Sequence, residues 1–136
     1  MRMLRGLVVI GLVLGPLGLM TLAQGDKVVT PEEASKMVNK DVLIEFVVKG
    51  TGKSKAGDKV FLNTESDFKS DKNFTVMLTK AAIEELKKGE GKIENAAAHY
   101  KGKKVQVYGT VKLFKDRPEI AIEKAGQIKE IKDDKK

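Results

Sequence analysis

From Asp41 to Val48 apolar and polar positions alternate with a period of two, so Val42, Ile44, Phe46 and Val48 share one side of an extended chain. The β-branched and aromatic content of this run is that of a half-buried strand. The period returns over Val60-Phe61-Leu62-Asn63 and over 74–79, where Phe74, Val76 and Leu78 point inward. In the longest run, 103–114, Val105, Val107, Val111 and Leu113 oppose Lys104, Gln106, Tyr108, Thr110, Lys112 and Phe114, and in 119–123 Ile120 and Ile122 face inward. Between the third and fourth runs the spacing becomes helical: Thr79 caps a segment over 81–86, and Ile93, Ala96, Ala97 and Tyr100 form one apolar stripe at i, i+3, i+4 and i+7. Ahead of the first strand, Thr30-Pro31-Glu32-Glu33 contains a capping box with proline at the first helical position, which predicts a short helix from Pro31 to about Val38. Gly50, Gly52 and Gly57 mark 49–59 as a loop, and Gly109 marks a bulge or sharp coil in the fourth strand.

Three strands, a helical segment and a two-stranded hairpin predict an all-β fold with a small helical part: a five-stranded OB-type Greek-key barrel, with a helix between strands three and four and a short N-terminal helix. Six segments carry a more specific likeness: Phe61-Leu62-Asn63, Asn73-Phe74-Thr75-Val76, Tyr100-Lys101-Gly102-Lys103, Val105-Gln106-Val107-Tyr108-Gly109-Thr110-Val111, Arg117-Pro118-Glu119-Ile120 and Gln127-Ile128. Together they resemble the signature of bacterial OB-fold modules of the nucleic-acid-binding class, including those attached to secreted nuclease-like proteins. The resemblance covers most of Asp41 to Ile128 and implies the OB fold; it carries over no nuclease activity.

Residues 1–23 have a basic start with Arg2 and Arg5, an apolar run from Leu7 to Leu19 and a Thr21-Leu22-Ala23 end, the order of a secretory signal peptide. The apolar run is shorter than the roughly 20 residues of a membrane span, and an uncleaved anchor is the competing reading. The expected organisation is a signal peptide over 1–23, an extension with a short helix over 24–40, an OB-fold domain over 41–128 and a charged C-terminal tail over 129–136. The expected location is the periplasm or the exterior. Removal of residues 1–23 leaves 113 residues and lowers the formal charge from +7 to +5, because Arg2 and Arg5 leave with them.

Composition narrows the chemistry. Cysteine and tryptophan are absent and His99 is the only histidine, which excludes disulfides, thiolate zinc sites, cysteine nucleophiles and a lipidated cysteine. No nucleophile, base and orienting group assemble from what is left, so the expectation is a non-enzyme with no cofactor and no metal. Glu65, Asp67 and Asp71 lack the spacing and glycine of a calcium loop, and Gly50-Thr51-Gly52-Lys53-Ser54 lacks the full spacing and the helix of a phosphate-binding loop.

In an OB fold the ligand crosses strands two and three between the first and last strand-connecting loops. Here those loops carry Lys53 and Lys55 on one side and Lys112, Lys115 and Arg117 on the other. Cations on both walls suit a polyanion backbone; solvated loop lysines are the bland alternative. Phe61 and Tyr108 are the candidate stacking rings, and Phe61 can equally belong to the core. The expected partner is nucleic acid or another extended polyanion. The rival is an envelope protein-interaction or structural module that uses the barrel as a scaffold.

Overall fold

A computed structural model describes residues 27–132; the leader expected over 1–23 and the last four residues of the expected tail lie outside that range. The elements in chain order are β1 (Val28–Val29), α1 (Pro31–Ala34), β2 (Asp41–Val47), β3 (Gly50–Lys53), β4 (Val60–Asn63), β5 (Thr75–Leu78), α2 (Lys80–Lys88), α3 (Ala96–Tyr100), β6 (Lys104–Phe114), β7 (Arg117–Ile122), a 3-10 turn (Ala125–Gln127) and β8 (Ile128–Glu130).

The inward faces read from the alternation are the core. Val42, Ile44, Phe46, Val48, Phe74, Val76, Leu78, Val105, Val107, Val111, Ile120 and Ile122 are all buried, with Leu62 and Val60 among them. Burying each large aliphatic or aromatic side chain is worth about 1.5–3 kcal/mol, which is why the period-two pattern fixes which face of each strand turns inward. Thr79 caps α2 by accepting from the Ala82 amide at 3.3 Å, and its hydroxyl donates to the Ile122 carbonyl at 3.0 Å, so the cap also ties the helix to β7. Asn95 caps α3, whose Ala96, Ala97 and Tyr100 are buried as the stripe predicts. Burial, with the charge of Glu130 nearby, pushes the Tyr100 hydroxyl up to about 12. The Thr30–Glu33 capping box forms in both directions, but α1 stops at Ala34 after a single turn.

The expected five-stranded closed barrel is not what forms. The strands make an eight-stranded mixed sheet in the order β1-β2-β6-β7-β5-β4-β3, with β8 also paired to β6, and the ladder is open rather than closed into a barrel. Two pairings, β1 with β2 and β5 with β7, are parallel. Three strands account for the difference in number. Val28–Val29 is too short to show a period, and Ile128–Glu130 begins at the last residue of the expected domain and runs into the charged tail. Gly50–Lys53 looks like a loop because glycine disfavours strands, yet it pairs in register with all of β4, and pairing overrides local propensity. Only Val48 and Lys49 separate β2 from β3, and there the chain changes partner: the Val48 amide donates to the Lys103 carbonyl and the Lys49 amide to the Asn63 carbonyl. Leu113 also departs from expectation. It is 53% exposed, because β6 runs past the core into the hairpin with β7.

β6 is where the sheet is most constrained. It pairs with β2 over 104–110, with β8 over 105–107 and with β7 over 111–114. In the interval between β8 and β7, the Gln127 side chain donates to the Tyr108 carbonyl at 3.0 Å and accepts from the Glu123 and Lys124 amides. A side chain on Gly109 would put its Cβ 2.5 Å from Ile120 Cγ2, so glycine here permits the approach of β7 rather than a positive φ.

Two substitutions test this architecture by thermal unfolding. Val107→Asp places an unpaired charge at a fully buried position, costs several kcal/mol against a total of about 5–15, and abolishes the cooperative transition. Gly109→Ala forces β6 and β7 apart, lowers stability by about 1–3 kcal/mol and retains a cooperative melt at lower temperature.

Candidate functional site

β3 and β4 form a hairpin whose turn is fixed by Ser54. Its hydroxyl donates to Asp58 Oδ1 at 2.9 Å and accepts from the Lys59 amide at 3.1 Å, while Gly57 takes the left-handed conformation the turn requires. The Ser54 hydrogen bond, helped by Lys59, holds the Asp58 carboxyl below the usual range. At the other end of β3, a Cβ on Gly50 would come within 2.9 Å of the Glu65 carbonyl, so the strand begins in backbone contact with the β4–β5 connection, residues 64–74.

That connection is built rather than loose. Asn63 and Asn73 are buried and joined, Asn73 Nδ2 donating to Asn63 Oδ1 at 3.2 Å and to Thr75 Oγ1 at 3.1 Å. Thr75 donates to the same Asn63 oxygen at 2.8 Å, and Asn73 Oδ1 accepts from the Glu65 amide at 3.1 Å. Thr64 closes the base, its Oγ1 accepting from the Phe74 amide at 2.9 Å. Buried polar atoms left without partners would cost more than these bonds contribute, so the network specifies one geometry. It presents Phe68 at the tip, 61% exposed.

The β6–β7 hairpin presents a second ring, Phe114, 60% exposed. Its two-residue turn, Lys115-Asp116, has φ of 52° and 67°. Consecutive left-handed residues are what a type I′ hairpin turn demands, normally of Asn-Gly. Each lysine that follows a tip ring lies over it: Lys69 Nζ is 5.8 Å from the Phe68 ring centre and Lys115 Nζ 5.4 Å from that of Phe114.

Between the hairpins and the connection runs a groove of about 570 Å³, with Phe61, Phe68 and Phe114, the cations Lys53, Lys69, Lys115 and Arg117, and the carboxyl of Glu119 in its lining. Burial raises the Glu119 carboxyl above its ordinary value of 4.5. A second cleft, about 810 Å³, lies between α1, the end of β2 and the same connection. Glu32, Glu45, Glu65, Asp71 and Asp116 outnumber Lys49 and Lys72 in its lining, so it does not suit an anion. Among the described residues no group of three or more His, Asp or Glu side chains is placed to hold a metal ion.

Of the candidate residues read from the sequence, Lys53, Phe61, Lys115 and Arg117 meet in the groove. Phe61 is half-exposed there instead of fully buried. Lys55 sits in the exposed β3–β4 turn and Lys112 on the exposed side of β6, opposite Glu119 in the ladder. Tyr108 is elsewhere: it pairs with Leu43 of β2, and its hydroxyl lies 3.5 Å from Asp41 Oδ2, a carboxylate that also accepts from Thr110 Oγ1. The sequence pattern overlooked Phe68, Phe114 and Lys69. Phe114 left a signal, a large ring on the polar side of the 103–114 alternation; Phe68 left only an aromatic isolated among polar residues.

No protein-family description matches the chain, and no curated protein does. Among solved structures, aspartyl-tRNA synthetase from Entamoeba histolytica superposes with a TM-score of 0.51 at 18% identity, covering 88% of this chain and 26% of that one. An aspartyl-tRNA synthetase from Leishmania major Friedlin gives 0.50 at 18% identity, covering 85% and 22%. An OBody solved with hen egg-white lysozyme gives 0.47 at 14% identity, covering 89% and 100%. The chain spans about a quarter of the length of the synthetases it matches. At 18% identity the likeness to the two synthetases is one of fold alone, that of an OB-fold-like module.

Two predictions follow from the groove's walls. Asp116→Gly relieves a left-handed conformation that costs an L-residue about 1–2 kcal/mol and raises the melting temperature, with no change in far-ultraviolet dichroism. Because burial disfavours the Glu119 carboxylate, the folded state holds that proton more tightly than the unfolded chain. The stability this carries is complete below the ordinary value of 4.5 and is lost as pH rises through the raised one. Glu119→Gln therefore melts above the wild type at neutral pH, and the gap closes as the pH falls through the Glu119 titration.

Proposed function

We propose that this chain is an extracytoplasmic OB-fold-like module that binds nucleic acid, single-stranded in preference, through the groove between the β3–β4 and β6–β7 hairpins, without catalysis. The observation that carries this reading is the combination in one groove of three phenylalanine rings with the side chains of Lys53, Lys69 and Lys115. Rings supply faces on which successive bases stack, and ammonium groups along the rim neutralise the backbone. A charge-only polyanion site has no use for the rings, and an apolar protein interface has little use for the cations. The motif resemblance to bacterial nucleic-acid-binding OB-fold modules points the same way. The signal-peptide pattern of residues 1–23 supports the location.

Anisotropy titrations with single-stranded DNA, RNA and heparin over a salt series test the proposal. Wild-type protein is expected to bind the single strands with strong salt dependence. Replacing Lys53, Lys69 and Lys115 together with glutamine removes up to three phosphate contacts and lowers the slope of log affinity against log salt by about 2, at roughly 0.7 per contact. All three side chains belong to exposed residues, so thermal stability changes little. Phe114→Ala is expected to cost about 1–3 kcal/mol of binding while leaving the slope in place. Absence of affinity for every polyanion at low salt overturns the reading in favour of a protein-interaction scaffold.

A further inference from the structure

Arg117 belongs to the cations of the groove by position, but its hydrogen bonds point inward. Nη1 donates to the Ser70 carbonyl at 3.0 Å and the Phe68 carbonyl at 3.4 Å, and Nη2 donates to the Lys69 carbonyl at 2.9 Å. Three consecutive backbone oxygens at the tip of the β4–β5 connection thus converge on one guanidinium and occupy three of its five N–H donors. In the β6–β7 ladder Arg117 is the direct partner of Phe114. One side chain therefore couples the segment bearing Phe68 to the hairpin bearing Phe114. The remaining ties of the connection lie mainly at its base, through Thr64 and Asn73, with one further contact from Asn73 Nδ2 to the Phe68 carbonyl at 3.3 Å.

We propose that Arg117 is a positioning residue: it clamps residues 68–70 against the β6–β7 hairpin, fixes the spacing between the Phe68 and Phe114 rings, and so selects base-bearing single strands over polyanions that offer charge alone. The inference rests on the nucleic-acid reading of the groove. Its chemistry is that of a planar fork, which satisfies several acceptors at fixed angles where the compact ammonium of lysine cannot. Carbonyl acceptors come from the backbone, so the clamp holds the course of the chain and through it the ring.

Arg117→Lys keeps the charge and removes the fork, and two measurements on the full chain read the result. Amide exchange reports the clamp without any ligand: Ser70 and Asn73, whose amides donate to the Asp67 and Ser70 carbonyls, are expected to exchange faster in the variant while the β6 amides do not change. Titrations report its consequence: affinity for single-stranded DNA falls about tenfold, the loss of roughly one stacked base, with the salt slope and heparin affinity unchanged. The same substitution in a Phe68→Ala background costs nothing more.

Unchanged exchange at Ser70 and Asn73 overturns the clamp. In Arg117→Gln, which removes the charge as well as the fork, a salt slope lowered by about 0.7 makes Arg117 a phosphate ligand instead, and additive losses of Arg117→Lys with Phe68→Ala also overturn the proposal. If Phe68→Ala leaves affinity intact while the lysine replacements weaken it, the positioning role fails and the nucleic-acid reading stands. If the wild type binds no single strand, that reading fails, and ligand selection by Arg117 fails with it.

Discussion

One strand, Lys104–Phe114, is hydrogen-bonded to three others, and the sheet depends on the room it leaves at Gly109. On one edge it meets β2. On the other it meets β8 and then β7, with the Gln127 amide supplying the hydrogen bond where neither strand does. The buried side chains of Val105, Val107 and Val111 draw the strand into the core, and the missing side chain at Gly109 lets Ile120 close over it. With β7 so placed, β5 pairs beside it in parallel and β4 and β3 follow. Displacement of β7 would be passed to every strand beyond it, because each is held chiefly by its neighbour.

The groove follows from the same arrangement. β6 outruns the core, which leaves Leu113 and Phe114 in solvent and makes the turn at Lys115-Asp116 one wall. The β3–β4 hairpin is the other, and between them the Asn63–Asn73–Thr75 network raises a connection rigid enough to hold Phe68 exposed. Exposed aromatic rings cost solubility without adding to the core, and their meeting in one basic groove is what sets it apart from the second, acidic cleft. Among the described residues Glu119 is the one carboxyl in the lining of the basic groove, and its burial raises it above its ordinary value.

Strand faces, helix caps and the core were legible along the chain because each is decided by residues close in sequence. Val42, Ile44 and Phe46 alternate whatever they pair with, and Thr30 and Thr79 cap the helices that begin beside them. The runs of lysine over 49–59 and 112–117 were legible in the same way. Pairing was not. Whether Gly50–Lys53 is loop or strand depends on β4 ten residues away, and whether Val28–Val29 is a strand depends on the open edge of β2. An isolated segment pays for its extended conformation without any ladder to offset it, so composition alone misassigns both.

The sequence by itself determined a small β-rich domain, the inward faces of its strands with the exception of Leu113, and a surplus of lysine over 49–59 and 112–117. Only the tertiary structure decided that the sheet has eight strands in an open mixed order, that Tyr108 belongs with Asp41 and not with the groove, and that Phe68 joins Phe61 and Phe114. It also decided that Arg117 spends its donors on the carbonyls of residues 68–70. The physical reason is common to all of these. Alternation and charge are properties of neighbouring residues, whereas a ladder, a hydrogen-bonded fork and a shared groove join residues tens of positions apart, which only the folded chain brings within a few ångströms.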